Sequence, residues 1–192
     1  MFGRRYSESD FWRWLDTSDA LRRDTNALLA DVTKRLHRFH PSLTCEIGPA
    51  TQRPRELVLS ADGIREAAEF VERIADAAPT LKDWSVIRFR PARPDYASIA
   101  LAIGDESFEH EDLRVVLMPE KAVIHCGLFA RWCEEPEGTG PDMPTFLMLD
   151  MAFGEFNMMT RIGAIDVFPL DAAPPHAIAW KDAKSAFDEL AG

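Results

Sequence analysis

The sequence predicts an α+β fold: one mixed, mainly antiparallel sheet with helices packed on it. Two observations carry this. Apolar residues recur at helical spacing in several segments, and between these lie short runs rich in β-branched residues. Several of those runs, "VVLM" and "AVIHCGLF" above all, are apolar on both faces, so the sheet needs a covering layer on each side. The element order repeats. Two strands, a helix and a strand run over 44–90 and again over 113–168, which predicts two ββαβ-like units.

In "SESDFWRWLD" an acidic residue follows three places after Ser7, the pattern of a capping box, and predicts a helix over 8–16. Trp12 and Trp14 are two apart there and project ~200° from one another. One can enter the core; the other is exposed or covered by a partner. With Phe2 and Tyr6 upstream, Trp12 and Trp14 are candidate interface residues for a protein partner or a homodimer. A longer helix is expected from Ser18 over 19–39, with Leu21, Leu28, Val32, Leu36 and Phe39 on one stripe. "LTCEI" and "RELVLSA" are strands. "ADG" starts the next helix, with Asp62 as its cap and Ile64, Ala67, Val71, Ile74 and Ala78 on its apolar face.

"WSVIRFR" and "YASIALAI" are expected strands, and "DESFEHED" a charged connection. "LRVVLM" and "KAVIHCGLF" form a hairpin around Pro119 and Glu120, and "CEEPEGTGPDMP" is a loop. A helix over "FLMLDMAFGEFNMM", the strand "IGAIDVF", an irregular proline-rich segment and a short terminal helix complete the chain. Together these read as a single domain over 1–192: N-terminal helices over 8–39, an α+β core over 44–168, and the tail over 169–192.

The 192 residues are 46% hydrophobic and 28% charged, with a formal net charge of −10 from 22 basic and 32 acidic side chains. Such a surface repels phosphate backbones and anionic lipid, and no dense basic cluster appears, so neither nucleic acid nor membrane is an expected partner. "GRRYSE" has no apolar run behind it and is not expected to be a signal peptide. Cys45, Cys126 and Cys133 are sparse and odd in number, which fits a reducing cytoplasm; no C-x-x-C pair suggests zinc. Neither a metal nor a cofactor is expected.

Four residues are candidate ligand contacts. Arg88 and Arg90, two apart in a strand, would share a face and form a clamp for a carboxylate or phosphate, unless they pair with Asp150, Glu155 or Asp166. Asp150 and Glu155 stand in nearly uninterrupted apolar sequence. Five helical residues separate them by ~140°, so they do not converge as a general acid and base, and a structural role is favoured. His125 and Cys126, adjacent in a strand, point to opposite faces and cannot form a nucleophile–base pair. His37 and His40, with Cys45 nearby, are more simply complements to a helix C-terminus than metal ligands. No glycine-rich phosphate loop, G-x-S-x-G or H-E-x-x-H motif occurs.

The segments "LVLSADGI", "AAPTLKDWSVIRFRP" and "LMLDMAFGEF" occur in the order found in an uncharacterised family of bacterial cytoplasmic proteins, which the chain resembles over roughly 10–168. The resemblance implies a cytoplasmic bacterial protein of single-domain architecture; it implies no activity and assigns no catalytic residue. The resulting expectation is a non-enzymatic cytoplasmic module binding a protein partner or a small anionic ligand. The alternative is an enzyme acting on a small anionic substrate through Arg88 and Arg90 with Asp150 or Glu155.

Overall fold

A computed structural model describes residues 6–17 and 19–192; Phe2 and Ser18 lie outside the described residues. The chain divides into two compact units, Met1–Arg90 and Pro91–Gly192.

In the first unit, α1 (Glu8–Thr17) begins with the expected capping box: Asp10 N–H donates to Ser7 Oγ at 3.3 Å and Ser7 N–H to Asp10 Oδ2 at 3.1 Å. The single helix expected over 19–39 is broken. Ala20–Arg22 is a 3-10 turn, Arg23 is extended, and α2 (Thr25–Leu36) starts afresh where Asp24 accepts the N–H groups of Asn26 and Ala27. The stripe Leu28, Val32 and Leu36 is buried as its spacing requires. Strands β1 (Thr44–Ile47), β2 (Arg55–Ser60) and β3 (Trp84–Arg88) form one sheet in that order, β1 antiparallel to β2 and β2 parallel to β3. Helix α3 (Arg65–Asp76) makes the crossover and packs against β2 and β3. Asp62 does not cap α3: it has φ 54° and reaches Arg90 instead.

The second unit repeats the pattern. β6 (Leu113–Glu120) and β7 (Val123–Ala130) are antiparallel; α4 (Met143–Phe153) and α5 (Glu155–Thr160) lead to β8 (Ile162–Pro169), which is parallel to β7. A short β9 (Ile178–Ala179) adds to the other side of β6, giving the order β8-β7-β6-β9. The hairpin turn is Lys121–Ala122 rather than Pro119–Glu120. β6 continues through Pro119 because β9 covers only Arg114 and Val115, so the missing N–H costs no ladder bond there. Before this repeat, β4 (Leu101–Ile103) pairs with β5 (Glu106–Phe108) through a turn at Gly104, φ 61°. The expected strand "YASIALAI" thus shrinks to three residues, and part of "DESFEHED" is a strand rather than a connection. Tyr96, in a 3-10 turn, accepts the Lys184 N–H at its hydroxyl and donates that hydroxyl to Lys181 O at 2.9 Å. Helix α6 (Ala183–Ala191) completes this core by stacking Phe187 on Phe153, with ring centres 4.5 Å apart.

The class is α+β as predicted, and both ββαβ repeats are present with the same strand pairing. The expected single sheet, however, is three among the described residues. Each repeat carries its own crossover helix and completes its own ladder, and the chain between them pairs with itself as β4–β5.

Candidate functional site

Helix α4 is apolar on two faces, and only one of them is covered. Asp142 caps it by accepting Thr145 N–H at 2.9 Å. Thr145, Met148, Leu149, Ala152 and Phe153 are buried at spacings of three and four. A second stripe at the same spacing faces outward: Met143 is 65% exposed, Phe146 48% and Leu147 38%, and Phe156 on α5 is 44% exposed. Half-buried Asp150 continues this outer stripe.

Gly154 separates the two helices. Its N–H donates to Asp150 O at 2.8 Å, and its φ of 82° with ψ of 148° is backbone essentially reserved for glycine. Asn157 Nδ2 donates to Phe153 O at 2.8 Å, so it satisfies a carbonyl that the end of α4 leaves open. Glu155 opens α5 and is fully buried, where its negative charge complements the first turn. Asp150 and Glu155 both interact with other groups of the chain. They lie on separate helices.

Arg88 and Arg90 do not form a shared-face clamp. β3 ends at Arg88, and Phe89 takes φ 59° while donating its N–H to Leu59 O. Side chains two apart share a face only where the intervening backbone is extended. Arg88 pairs with exposed Asp76, and Arg90 with Asp62 at 3.4 Å. Both of these partners lie in the same unit as the arginines. Arg88 and Arg90 belong to the first unit and Asp150 and Glu155 to the second.

Trp12 is a core residue rather than an interface one: it is 1% exposed and its Nε1–H donates to Ile74 O at 2.7 Å. Trp14 on the other side of α1 is half-buried, with the Arg35 guanidinium 4.0 Å above its ring. The two tryptophans part company as their spacing requires, and the Arg35 guanidinium covers one face of Trp14.

His125 Nδ1 accepts Ala164 N–H at 2.9 Å and Nε2 lies 3.1 Å from Glu120 Oε2, at a bulge between β7 and β8. Burial pushes the Cys126 thiol up to about 12 and the Cys45 thiol up to about 11, so neither is a nucleophile at neutral pH. In the unfolded chain these thiols ionise near 9.0, below their folded values. Their contribution to stability is therefore complete below about pH 9 and is lost as pH rises toward 11 and 12. Melting temperature measured across that range should fall more steeply for the parent than for Cys126→Ala; parallel curves would remove the thiol from the account.

Two open clefts in the second unit share Arg131. One, of about 680 Å³, brings it beside Cys133, Glu134 and Asp171; the other, of about 620 Å³, beside Glu106, Trp132 and Asp142. Each sets two carboxylates against this arginine, which disfavours an anionic ligand. Sequence reading missed these clefts because their walls come from four separated segments. Among the described residues no three His, Cys, Asp or Glu side chains converge to hold a metal ion, and no helix is long and apolar enough to cross a membrane. No protein-family model, curated protein or solved structure matches the chain.

Proposed function

We propose that this chain is a binding module whose protein partner docks on the outer face of α4 and the adjoining Phe156. One observation carries the reading: Met143, Phe146 and Leu147 form an exposed apolar stripe on a helix whose opposite stripe already fills the core. A helix apolar all round is normally covered all round, and contiguous exposed apolar area on a soluble chain marks a contact surface. Asp142 and Asp150 lie along this stripe and the chain's net charge is −10. Both favour a partner with a basic rim over a second copy of the same acidic chain. The sequence's expectation of a cytoplasmic module fits this reading.

A photo-reactive amino acid placed at Phe146 in living cells should give one discrete cross-linked product. The same group at exposed Glu69 on α3 should give none. Leu147→Glu should abolish the product while leaving the melting temperature within about 2 °C, since an exposed side chain contributes little to folding. Equal labelling at both positions, or a product indifferent to Leu147→Glu, sinks the proposal. A product of twice the chain's own mass would reassign the face to self-association.

A further inference from the structure

The first unit contains a fully buried arginine that forms no ion pair among the described residues. Arg55 opens β2 with none of its surface exposed. Its Nε donates to Gly48 O and its Nη2 to Thr25 Oγ1, each at 2.8 Å, and the guanidinium lies 5.8 Å from the Trp84 ring centre. Nη1 has no hydrogen-bond partner among the described residues. Neither Arg55 nor Arg53 takes part in an ion pair among those residues.

Positive potential accumulates at this spot from three sources. The first is Arg55 itself. Burial, and after it the nearby charge of Arg53, makes the Arg55 guanidinium release its proton more readily than usual, yet an arginine retains that proton in a protein. The second is Arg53, on the exposed turn between β1 and β2, whose Nη1 donates only to the turn's own carbonyls, Ala50 O at 2.7 Å and Gln52 O at 2.6 Å. The third is the N-terminus of the 12-residue α2, since Thr25 is its first residue. Asp24 answers part of this from an exposed position by accepting the N–H groups of Asn26 and Ala27. A buried cation with an open donor is unfavourable unless something negative meets it.

We propose that Arg55, Arg53, Thr25 and the start of α2 form a binding site for a phosphate-type oxyanion. Arg55 Nη1–H is the buried donor. The Thr25 hydroxyl oxygen accepts from Nη2, which leaves its own proton to donate. Arg53 supplies the second guanidinium from the rim, where a small turn of its side chain exchanges backbone carbonyls for the anion. Three side chains arriving from two chain segments, Arg53 and Arg55 at the entry to β2 and Thr25 at the start of α2, suit a tetrahedral oxyanion, and a helix N-terminus reinforces that choice. Entry is over the exposed residues Ala50, Thr51 and Arg53. This site is independent of the α4 face.

The test is thermal unfolding of the full chain in increasing inorganic phosphate, with sodium chloride at matched ionic strength as control. A ligand that binds only the folded state raises the melting temperature with a logarithmic dependence on concentration above its dissociation constant. The expected result is a rise of several degrees, with a dissociation constant at least fivefold weaker in Arg53→Gln and in Thr25→Val, and no specific response in Arg55→Gln. Should Arg55→Gln fail to fold, the exposed Arg53→Gln and the rim change Thr25→Val carry the decision, with calorimetric titration of phosphate as a second readout. Phosphoserine acting like phosphate identifies the phosphate group of a larger molecule as the ligand; a response to inorganic phosphate alone identifies the free ion. A rise linear in salt and unchanged in all three variants is general exclusion of the anion from the surface and overturns the site.

Discussion

Trp12→Ala should lower the folding stability by about 3–5 kcal/mol. The indole is buried in the first unit, edge-on to Phe11 at 4.8 Å, and its N–H satisfies the carbonyl of Ile74 from α3. Truncation therefore does two things. It opens a cavity among side chains that cannot fully collapse, and it strands a carbonyl paired across 62 residues of sequence. Trp12→Phe separates the two effects, because it keeps most of the volume and loses only the hydrogen bond; a cost of about 1–2 kcal/mol is expected there. Urea denaturation followed by far-ultraviolet dichroism reads both. A Trp12→Ala protein as stable as its parent would put the indole outside the core.

Glu155→Ala should cost about 2–4 kcal/mol. Its side chain is fully buried at the start of α5, directly after the glycine-only bend, and interacts with other groups of the chain. Removing the carboxylate leaves those groups without it and withdraws a negative charge from a helix start. Glu155→Gln retains shape and acceptor oxygen but not charge, so its cost should fall between parent and alanine. Thermal melts of the three proteins decide this: indistinguishable curves would make Glu155 a bystander. Half-buried Asp150, nearer to water, should respond less.

Much of the fold was legible because it rests on periodicity. Leu28, Val32 and Leu36 are buried at their predicted spacing, and the repeated ββαβ order was readable from the alternation of short apolar runs with amphipathic stripes. What escaped was local chemistry that overrides period. Asp24 captures two N–H groups and restarts a helix that the apolar stripe alone would carry straight through. Phe89, with φ 59°, breaks the alternation on which the pairing of Arg88 with Arg90 depended. The outer face of α4 was half-legible. Its lack of polar residues was plain in "FLMLDMAF", but periodicity cannot tell which of two apolar faces is inside. Arg55 left a usable signal: it alternates with Leu57 and Leu59, so it shares their buried face.

The shared strand pairing of the two repeats also sets an order of events in time. In the second repeat the antiparallel pair closes over two residues, Lys121–Ala122, and in the first over the seven residues of 48–54, whereas β3 and β8 must wait for a crossover to wrap. Tight hairpins of this kind form in about 1–10 μs, and non-local parallel pairing is slower because loop entropy is lost before contacts reward it. The parallel strands are thus the late arrivals and the early leavers. While β8 is away, β7 presents an unpaired edge in an apolar run, the state in which this chain is most open to pairing with a neighbour. The bridge between Thr139 and Val167, two 2.8 Å hydrogen bonds on the outer side of β8, then acts as a latch that shortens the lifetime of that opening.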